Sequence, residues 1–389
     1  MTDSSGPAPR PHGPVTVAEL TAGLIWPKLL RAARLSLAPS RLAIGFAVAF
    51  LIAVWSWVID YGWPTATFEP MAIPAFRSLS AALVEASTTL LYLAPAHAAL
   101  ELYQQGLLPF FEAVGREPFR ATVWLIPSVA LLAIGSGAIA RSVAVDVAGD
   151  LSLGVRGSLA FAIKRWRSMV FAVFIPLIVA GLIALVLAVA GWALLSLKGV
   201  SVVGALLLGP AFLAGLLLVI ILAVFFVGHC MLTPAVAVES TDAADAVQRA
   251  YAYALGKPGR LLIYGLVLLA QGALALIVIR FLTDQAWSIT QDLTAAWLGR
   301  DRAEAIHSRG AQGPTASIVR AWPMVFALIP AAWLICYSAA GGTLLYLLLR
   351  RVNDEQDIRE IWMPGMIPGT QAGPEPARAA ASVTEPVDL

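Results

Sequence analysis

The chain has 389 residues, of which 59% are hydrophobic and 13% are charged, and its formal net charge is +2. A soluble globular domain has about 45–50% apolar and about 25% charged residues, and here the apolar excess is concentrated in long uncharged runs. This composition excludes an ordinary soluble domain and indicates a multi-pass membrane protein. The small net charge also argues against a polyanionic partner such as nucleic acid.

Both ends of the chain are more polar than its middle. Residues 1–41 are polar and basic and contain several prolines, unlike a cleaved signal peptide. We predict that this segment is cytoplasmic and partly disordered, and that the first apolar run acts as an uncleaved signal anchor. Residues 352–389 are predicted to form a cytoplasmic tail, with a short helix over VNDEQDIREIW before a disordered end rich in Pro, Gly and Ala.

Six apolar runs are long enough to cross a bilayer, for which a helix needs about 20 residues. They predict an all-α, polytopic helix bundle over residues 42–351. Pro176 and Pro210 predict tilt or a kink in the two longest runs, because proline removes a backbone hydrogen bond. The predicted spans are 42–59, 121–140, 168–195, 201–228, 261–279 and 322–348.

The distribution of basic residues predicts the orientation of the spans. With both termini inside, 17 Lys and Arg residues lie on the cytoplasmic side and 9 lie outside. Positively charged loops favour the cytoplasmic side, so both termini are predicted to face the cytoplasm. Two long outer segments, 61–120 and 281–320, carry amphipathic stretches, the second with helical spacing at Trp287, Leu293 and Trp297.

Two polar stretches between spans resemble each other. DLSLGVRGSLAFAIKRWRSMV begins at Asp150, and DAADAVQRAYAYALGKPGRLL begins at Asp242, 92 residues later. Each is too short and polar to cross the membrane, and an amphipathic helix of this kind lies in the membrane interface. We therefore predict two elbow helices and an internal repeat of span, elbow helix and span, over residues 121–192 and 208–280. Both units cross the membrane in the same sense, which predicts a pseudo-two-fold axis along the membrane normal.

The side chains of the elbow helices suggest separate roles. Asp150 and Asp242 are predicted N-caps, because a carboxylate accepts hydrogen bonds from the free N–H groups of a helix start. The predicted apolar face of the second elbow holds Ala244, Val247, Tyr251 and Leu255. Basic side chains at the cytoplasmic leaflet can bind anionic headgroups. The candidate headgroup contacts are Arg156, Lys164, Arg165, Arg167, Lys257 and Arg260.

Three segments together resemble a known group of proteins. They are PAVAVESTDAADAVQRAYAYALGKPGRLLIYGLVLL at 234–269, GAIARSVAVDVAGDLSLGVRGSLAFAIKRWRSMV at 137–170, and YLLLRRVNDEQDIREIW at 346–362. The chain is similar here to bacterial multi-pass membrane proteins related to the membrane domain of certain glycerophosphodiester phosphodiesterases. The resemblance implies an architecture in a bacterial cytoplasmic membrane more than an activity, since no phosphodiesterase catalytic domain is present.

The sequence contains no convergent catalytic pattern. The acids are dispersed in loops, the four histidines lack ligand spacing, and Cys230 and Cys336 lie in or beside apolar runs. The six runs themselves hold no Asp, Glu, Lys or Arg, which argues against a proton pump. We predict no catalytic residue, metal site or cofactor. His229 is expected to pack at the interface, and Gln271 is expected to form an interhelical hydrogen bond.

Small residues in the spans predict close helix packing at Gly137, Gly215 and Gly342, although such stripes could equally serve a homo-oligomer. Trp166, Trp287, Trp322 and Trp362 fit the boundary anchors of a membrane protein.

Three functions are consistent with these patterns. The first is a non-enzymatic scaffold or regulator that organises anionic lipid of the bilayer or a membrane partner. The second is a transporter or flippase-like protein for a lipid or apolar substrate, with a cleft between the two repeats. The third is an enzyme with an external site formed by residues 61–120 and 281–320, which lacks convergent acid and base residues. A solidly packed bundle favours the first, and a polar cavity favours the second.

Overall fold

The computed structural model describes residues 26–62, 115–149, 153–196, 201–297 and 313–369, with isolated positions at 85, 97, 100, 104, 108, 112, 302 and 306. The described residues form helices and no strands, so the predicted all-α, multi-pass fold is confirmed. A 3-10 helix spans Trp26–Leu30. The α-helices are α1 Arg31–Ser36, α2 Pro39–Gly62, α3 Pro118–Gly149, α4 Val155–Lys164, α5 Trp166–Ser196, α6 Ser201–Glu239, α7 Ala243–Gly256, α8 Pro258–Ala295, α9 Pro314–Phe326 and α10 Leu328–Asp354.

Six stretches of helix in the described part of the chain are long and apolar enough to cross a membrane. They are α2, α3, α5, α6, α8 and the consecutive α9 and α10, and each contains one of the six apolar runs. Several helices continue well beyond their apolar run. The first half of the segment 281–320 is therefore a continuation of α8, which places Trp287 and Leu293 on that helix and Trp297 just beyond its end. α5 and α6 continue as helices through Pro176 and Pro210.

Helix α10 lies at the centre of the bundle. It packs against α2, α3, α6 and α8, and its C-terminal half also contacts α1 and α7. From Ala339 to Arg350 every residue of α10 is buried, including the large side chain of Tyr346. In the most apolar part of α6, by contrast, only 6% of the residues are buried within the chain. The packing is therefore densest where the C-terminal ends of α3, α6 and α10 meet.

Two of the three predicted packing glycines lie where helices approach most closely. A Cβ atom built on Gly342 would overlap the backbone carbonyl of Cys230 on α6, and one built on Gly137 would overlap the side chain of Met169 on α5. The prediction for Gly215 does not hold within the chain. Apart from the backbone of α6 itself, no heavy atom of the described residues lies within 4 Å of a Cβ at that position.

Both predicted elbow helices are present, as α4 and α7, but they differ at their starts. α7 begins after Asp242, whose Oδ1 accepts a hydrogen bond from the backbone N–H of Asp245 at 2.8 Å. α4 begins after Gly154, without a side-chain cap. The predicted cap Asp150 lies outside the described residues, four positions before the observed N-cap of α4.

The buried face of α7 differs from the predicted one. Ala246, Ala250 and Ala254 are buried against α5 and α6, whereas the predicted face ends in Leu255, which is 58% exposed. Alanine has the smallest side chain that still favours a helix, so this face lets α7 approach its neighbours closely. The prediction chose the face with the larger apolar side chains, whereas the structure buries the face with the alanines because small side chains allow close packing.

The start of the C-terminal tail has an irregular conformation where a short helix was predicted. α10 ends at Asp354, and Glu355 has a left-handed backbone with φ of 59°, so no helix covers VNDEQDIREIW as a separate unit. Residues 355–369 instead form an irregular segment that packs against the C-terminal end of α6. The N–H of Trp362 donates to the carbonyl of Val238 at 2.8 Å, and the N–H of Gly369 donates to the carbonyl of Glu239 at 3.0 Å. We call residues 355–369 the C-terminal strap.

The described part of the N-terminal segment, residues 26–36, is helical, and Leu29, Ala32 and Leu35 are buried in the core. The amphipathic stretch predicted within 61–120 lies largely outside the described residues. The same holds for residues 298–301, 303–305 and 307–312 of the second outer segment and for residues 370–389 of the tail.

Candidate functional site

The candidate headgroup contacts lie on α4, at the junction of α4 with α5 and at the junction of α7 with α8. Five of the six side chains are exposed, and Arg165 is half-buried. No described carboxylate lies within ion-pair distance of any of them. Their positive charges are therefore not neutralised by the described part of the chain. We call this group the elbow cations; its members are Arg156, Lys164, Arg165, Arg167, Lys257 and Arg260.

Large apolar side chains are exposed beside the elbow cations. Ile163 is 63% exposed and Trp166 is 44% exposed, next to Lys164 and Arg165. The guanidinium of Arg167 lies 5.6 Å from the centre of the Trp166 ring, within the range of a cation–π contact. Cations beside exposed aliphatic and aromatic groups on a short amphipathic helix are typical of a segment at the membrane–water boundary.

Next to the elbows, the structure shows a buried ionic network that the sequence did not predict. Glu239 ends α6, and its side chain is only 6% exposed. Its carboxylate accepts hydrogen bonds from the guanidinium of Arg249 on α7 and from the hydroxyl of Tyr346 on α10. The Nη1 atom of Arg350, also on α10, lies 3.6 Å from Oε1 of the same carboxylate. One acid therefore connects three helices.

Arg350 is the most deeply buried charge of this network, with no exposed side-chain surface. Its Nη2 atom donates to the carbonyl oxygens of Asp357 (3.0 Å) and Glu360 in the C-terminal strap. Removing a cation from water costs several kcal/mol unless a counter-ion and hydrogen bonds compensate. Glu239 supplies the counter-ion and the strap supplies the acceptors, so Arg350 links the strap to the bundle.

Arg249 connects the network to the cap of α7. Its Nη2 atom lies 3.2 Å from Oδ2 of Asp245 and donates to the carbonyl of Gly369 at 3.3 Å. Burial opposes ionisation of Asp245, but hydrogen bonds from Thr241 and Arg249 outweigh it and lower the pKa of Asp245. Partial burial similarly opposes the charge of Arg249, and the negative charges of Glu239 and Asp245 raise its pKa overall. Both groups are therefore held in their charged forms.

A second pair of buried arginines joins the first three helices to this end of the bundle. Arg41 at the start of α2 forms an ion pair with Asp146 of α3 at 2.6 Å and donates to the carbonyl of Leu35 at 2.7 Å. Arg141 of α3 donates to the carbonyl of Ala237 at 3.1 Å. Its guanidinium lies 4.8 Å from the ring centre of Phe161 and 5.6 Å from that of Trp362.

Trp362 was expected to be a membrane-boundary anchor, and the structure gives it a different role. Its indole N–H donates to the carbonyl of Met366 at 2.9 Å within the strap, and its ring covers the guanidinium of Arg141. Trp287 packs against Phe326, with 5.3 Å between ring centres, and Trp322 stacks on the same ring at 5.7 Å.

Gln271 and His229, two polar residues of the spans, have hydrogen-bond partners within the protein. Gln271 donates from Nε2 to the carbonyl of Leu30 at 2.7 Å and accepts a hydrogen bond from Tyr337 at 3.2 Å, an interhelical role as expected. His229 is hydrogen-bonded through Nδ1 to the carbonyl of Phe226 at 2.8 Å. Across the described ranges, no three His, Cys, Asp or Glu side chains come together as a metal ion would require.

No sequence pattern predicted that the acid and the arginines of the ionic network would come together. Glu239 stood at the end of an apolar run, and Arg350 followed another, where charged residues are ordinary flanking groups. Only the extension of α6 and α10 beyond their apolar runs brings the two together.

Comparison with protein-family models, curated proteins and solved structures finds no match to this chain. The resemblance to membrane domains associated with glycerophosphodiester phosphodiesterases therefore stays a prediction.

Proposed function

We propose that this protein is a non-enzymatic scaffold or regulator that organises anionic lipid, or a membrane partner, at the inner face of a bacterial cytoplasmic membrane. The observation that carries the proposal is the contrast between two sets of basic residues. Arg350 and the partly buried Arg249 have the carboxylate of Glu239 as a partner, and the buried Arg41 has that of Asp146. The elbow cations have no such partner among the described residues and are directed outward beside exposed apolar groups.

An anionic lipid headgroup can supply the negative charge that the elbow cations do not find among the described residues. Near an anionic leaflet each Lys or Arg contributes about 1 kcal/mol of attraction, and the effect falls off within a Debye length of about 10 Å. Lys164, Arg165 and Arg167 lie within four consecutive residues at the junction of α4 and α5, so their contributions act on the same patch of membrane. Trp166 lies among them and fixes the depth of the junction in the interface.

The proposal includes an orientation with both termini in the cytoplasm. The 17-to-9 division of basic residues supports it, since cytoplasmic loops carry an excess of Lys and Arg. The elbow cations then face the leaflet that holds anionic lipids.

It also includes an internal repeat, supported by the helix boundaries. α4 ends at Lys164 and α5 begins at Trp166, while α7 ends at Gly256 and α8 begins at Pro258. The end of α7 and the start of α8 each lie 92 residues after the end of α4 and the start of α5, which is the shift that aligns the two sequences, whereas α7 begins 88 residues after α4. A duplicated unit of span, elbow and span explains this coincidence and presents two basic junctions to the same leaflet.

The alternative function, a transporter or flippase, needs a cleft between the two units. In the described residues α5 of the first unit packs along α6 of the second and against α7. These contacts occupy the place where the cleft is required and favour a scaffold.

Native mass spectrometry of lipids that copurify with the full chain tests the proposal. We expect the variant Lys164→Gln, Arg165→Gln, Arg167→Gln to retain much less anionic phospholipid than the unaltered protein. The matched control, Lys257→Gln with Arg260→Gln, removes two cations instead of three and should lose less. Both variants keep a polar side chain at every changed position and leave the ionic network intact.

Equal lipid retention in all three proteins, with unchanged folding, would exclude the elbow cations as a lipid site. A second arm reconstitutes the protein in vesicles with a fluorescent phospholipid. Protein-dependent movement of that lipid between leaflets would favour the flippase and count against the scaffold.

A further inference from the structure

A stripe of exposed apolar side chains runs along the C-terminal part of α8. The exposed fractions of its four large side chains lie between 55% and 96%. The side of the helix that faces α9 is instead half-buried, where Trp287 packs against Phe326. We call the exposed set the α8 stripe; its members are Leu282, Ala286, Ile289, Leu293, Ala296 and Trp297.

Lipid does not cover the far end of the α8 stripe, because α8 is too long. From the start of its apolar run at residue 261 to Ala295 the helix measures about 52 Å, and at the average tilt of about 20° it still extends about 49 Å along the membrane normal. The hydrocarbon core and one headgroup layer together measure only about 35–38 Å. The last turns of α8, from about Ile289 onward, therefore extend into water.

The helix also does not bend back onto the membrane surface. Sharp bends in helices occur at proline, at glycine or at bulges, and α8 contains neither proline nor glycine after Gly272. It continues as one α-helix to Ala295. A contiguous apolar stripe that remains in water marks a surface that another protein segment covers.

The spacing of the α8 stripe is that of a coiled-coil seam. Its first five members follow one another at steps of 4, 3, 4 and 3 residues, which is the heptad pattern. Ala286 and Leu293 occupy a positions, and Leu282, Ile289 and Ala296 occupy d positions. Side chains at these positions insert between those of a second helix that carries the same repeat. The surface therefore fits a parallel or antiparallel helix of matching pattern.

A second copy of this chain supplies such a helix in the correct place. Two copies with the same topology in one membrane form a closed pair when a two-fold axis runs along the membrane normal. That axis places the two C-terminal parts of α8 side by side, parallel and at the same height. Each seam then faces an identical seam, whereas a soluble partner would have no such fixed register.

The charges beside the seam are compatible with a parallel pair. In this arrangement each g position faces the e position of the following heptad in the other copy. Gln285 then faces Thr290 of the second copy, and Asp292 faces Trp297. Asp284 lies at an f position, away from the seam. No acid meets an acid across the axis, so the pair has no like-charge repulsion at its seam.

We propose that the protein forms a parallel homodimer through the α8 stripe, with Ile289 and Leu293 at the centre of the interface. The contact lies beyond the lipid, at the end of the bundle opposite the elbow helices. It shares no residue with the elbow cations, so its test and the lipid test have independent outcomes.

Disulfide crosslinking in native membranes tests the register. Ile289→Cys should give a disulfide-linked dimer under mild oxidation, because d positions meet across a two-fold axis. Ser288→Cys is the matched control, since position 288 is exposed but lies at c, away from the seam. The unaltered protein measures the background from Cys230 and Cys336. Equal crosslinking at 288 and 289, no dimer above background at 289, or a crosslink from 289 to a different protein would overturn the proposal.

Association in vesicles tests the seam without cysteines. Energy transfer between donor-labelled and acceptor-labelled copies, followed as the protein is diluted with lipid, measures the dimer fraction. Ile289→Glu with Leu293→Glu replaces buried apolar contacts by facing like charges and should weaken association at least about tenfold. Ser288→Glu with Thr294→Glu adds the same charge at exposed positions outside the seam and should change association less than about twofold. Equal association of the two variants, or an unaltered protein that stays monomeric at every dilution, would contradict the dimer.

Discussion

Arg350 on α10 and Glu239 at the end of α6 form the most deeply buried ion pair of the described chain, with side-chain exposures of 0% and 6%. The two helices approach each other closely only because Gly342 allows α10 to pack against the backbone of Cys230. The Nε atom of Arg350 has no acceptor among the described residues, so this guanidinium depends on Glu239 and on two strap carbonyls. The pair joins the packing of the spans to the position of the strap.

Glu239→Gln is expected to destabilise the protein by about 3–5 kcal/mol, because it leaves Arg350 buried without a counter-ion. Thermal unfolding in detergent, followed by circular dichroism, measures the loss. The double variant Glu239→Gln, Arg350→Met removes the charge of both groups and should recover part of it. A single variant as stable as the unaltered protein would show that the pair contributes little.

A larger side chain at Gly342 is expected to prevent normal folding. Gly342→Val forces α10 away from the carbonyl of Cys230, and overpacking of this kind costs about 1–3 kcal/mol or more. Gly215→Val is the matched control, since a Cβ there meets no described atom within 4 Å. Size-exclusion profiles of fluorescent fusions report the folded fraction. Similar profiles for the two variants would contradict the close approach at Gly342.

Ser240→Gly is expected to stabilise the protein by about 1–2 kcal/mol. Ser240 follows the end of α6 with φ of 55°, a left-handed conformation that glycine adopts without strain. Its hydroxyl is buried without a hydrogen-bond partner in the described residues, so its removal also relieves a desolvation cost. The melting temperature should rise, and an unchanged or lower value would argue against strain at this turn.

Tyr251→Phe is expected to make the protein more resistant to alkali. Partial burial raises the pKa of Tyr251 from 10.0 to about 12, and its hydroxyl donates to the carbonyl of Ile221 at 3.3 Å. A raised pKa in the folded state adds stability that is fully present below pH 10 and is lost as the pH rises through about 12. Unfolding followed between pH 9 and pH 12 should show a shallower decline for the variant, and parallel declines would contradict this role.

Single cysteines test the orientation of the spans. Positions 196 and 294 are exposed near the C-terminal ends of α5 and α8, which the proposed topology places outside, so Ser196→Cys and Thr294→Cys should react with an impermeant thiol reagent in intact cells. Ala160→Cys on α4 and Ala252→Cys on α7 are also exposed but should react only after cell lysis. Labelling of position 160 in intact cells would reverse the proposed topology.

The sequence by itself determined the number of spans, the helical class and the existence of both elbow helices. These features depend on the length and period of apolar runs, which are local properties of the chain. The cap at Asp242 could be foreseen for the same reason, since an N-cap involves only the next three residues.

Only the tertiary structure decided which faces and charges meet. The alanine face of α7, the open position of Gly215 and the strap over Arg141 depend on neighbours far away in the sequence. Glu239 and Arg350 are separated by more than a hundred residues, and each looked like an ordinary flanking charge. Glu239 and Arg350 pair because α6 and α10 pack closely against each other. Which helices pack together depends on the complementary shapes of their surfaces, and no local sequence pattern specifies it.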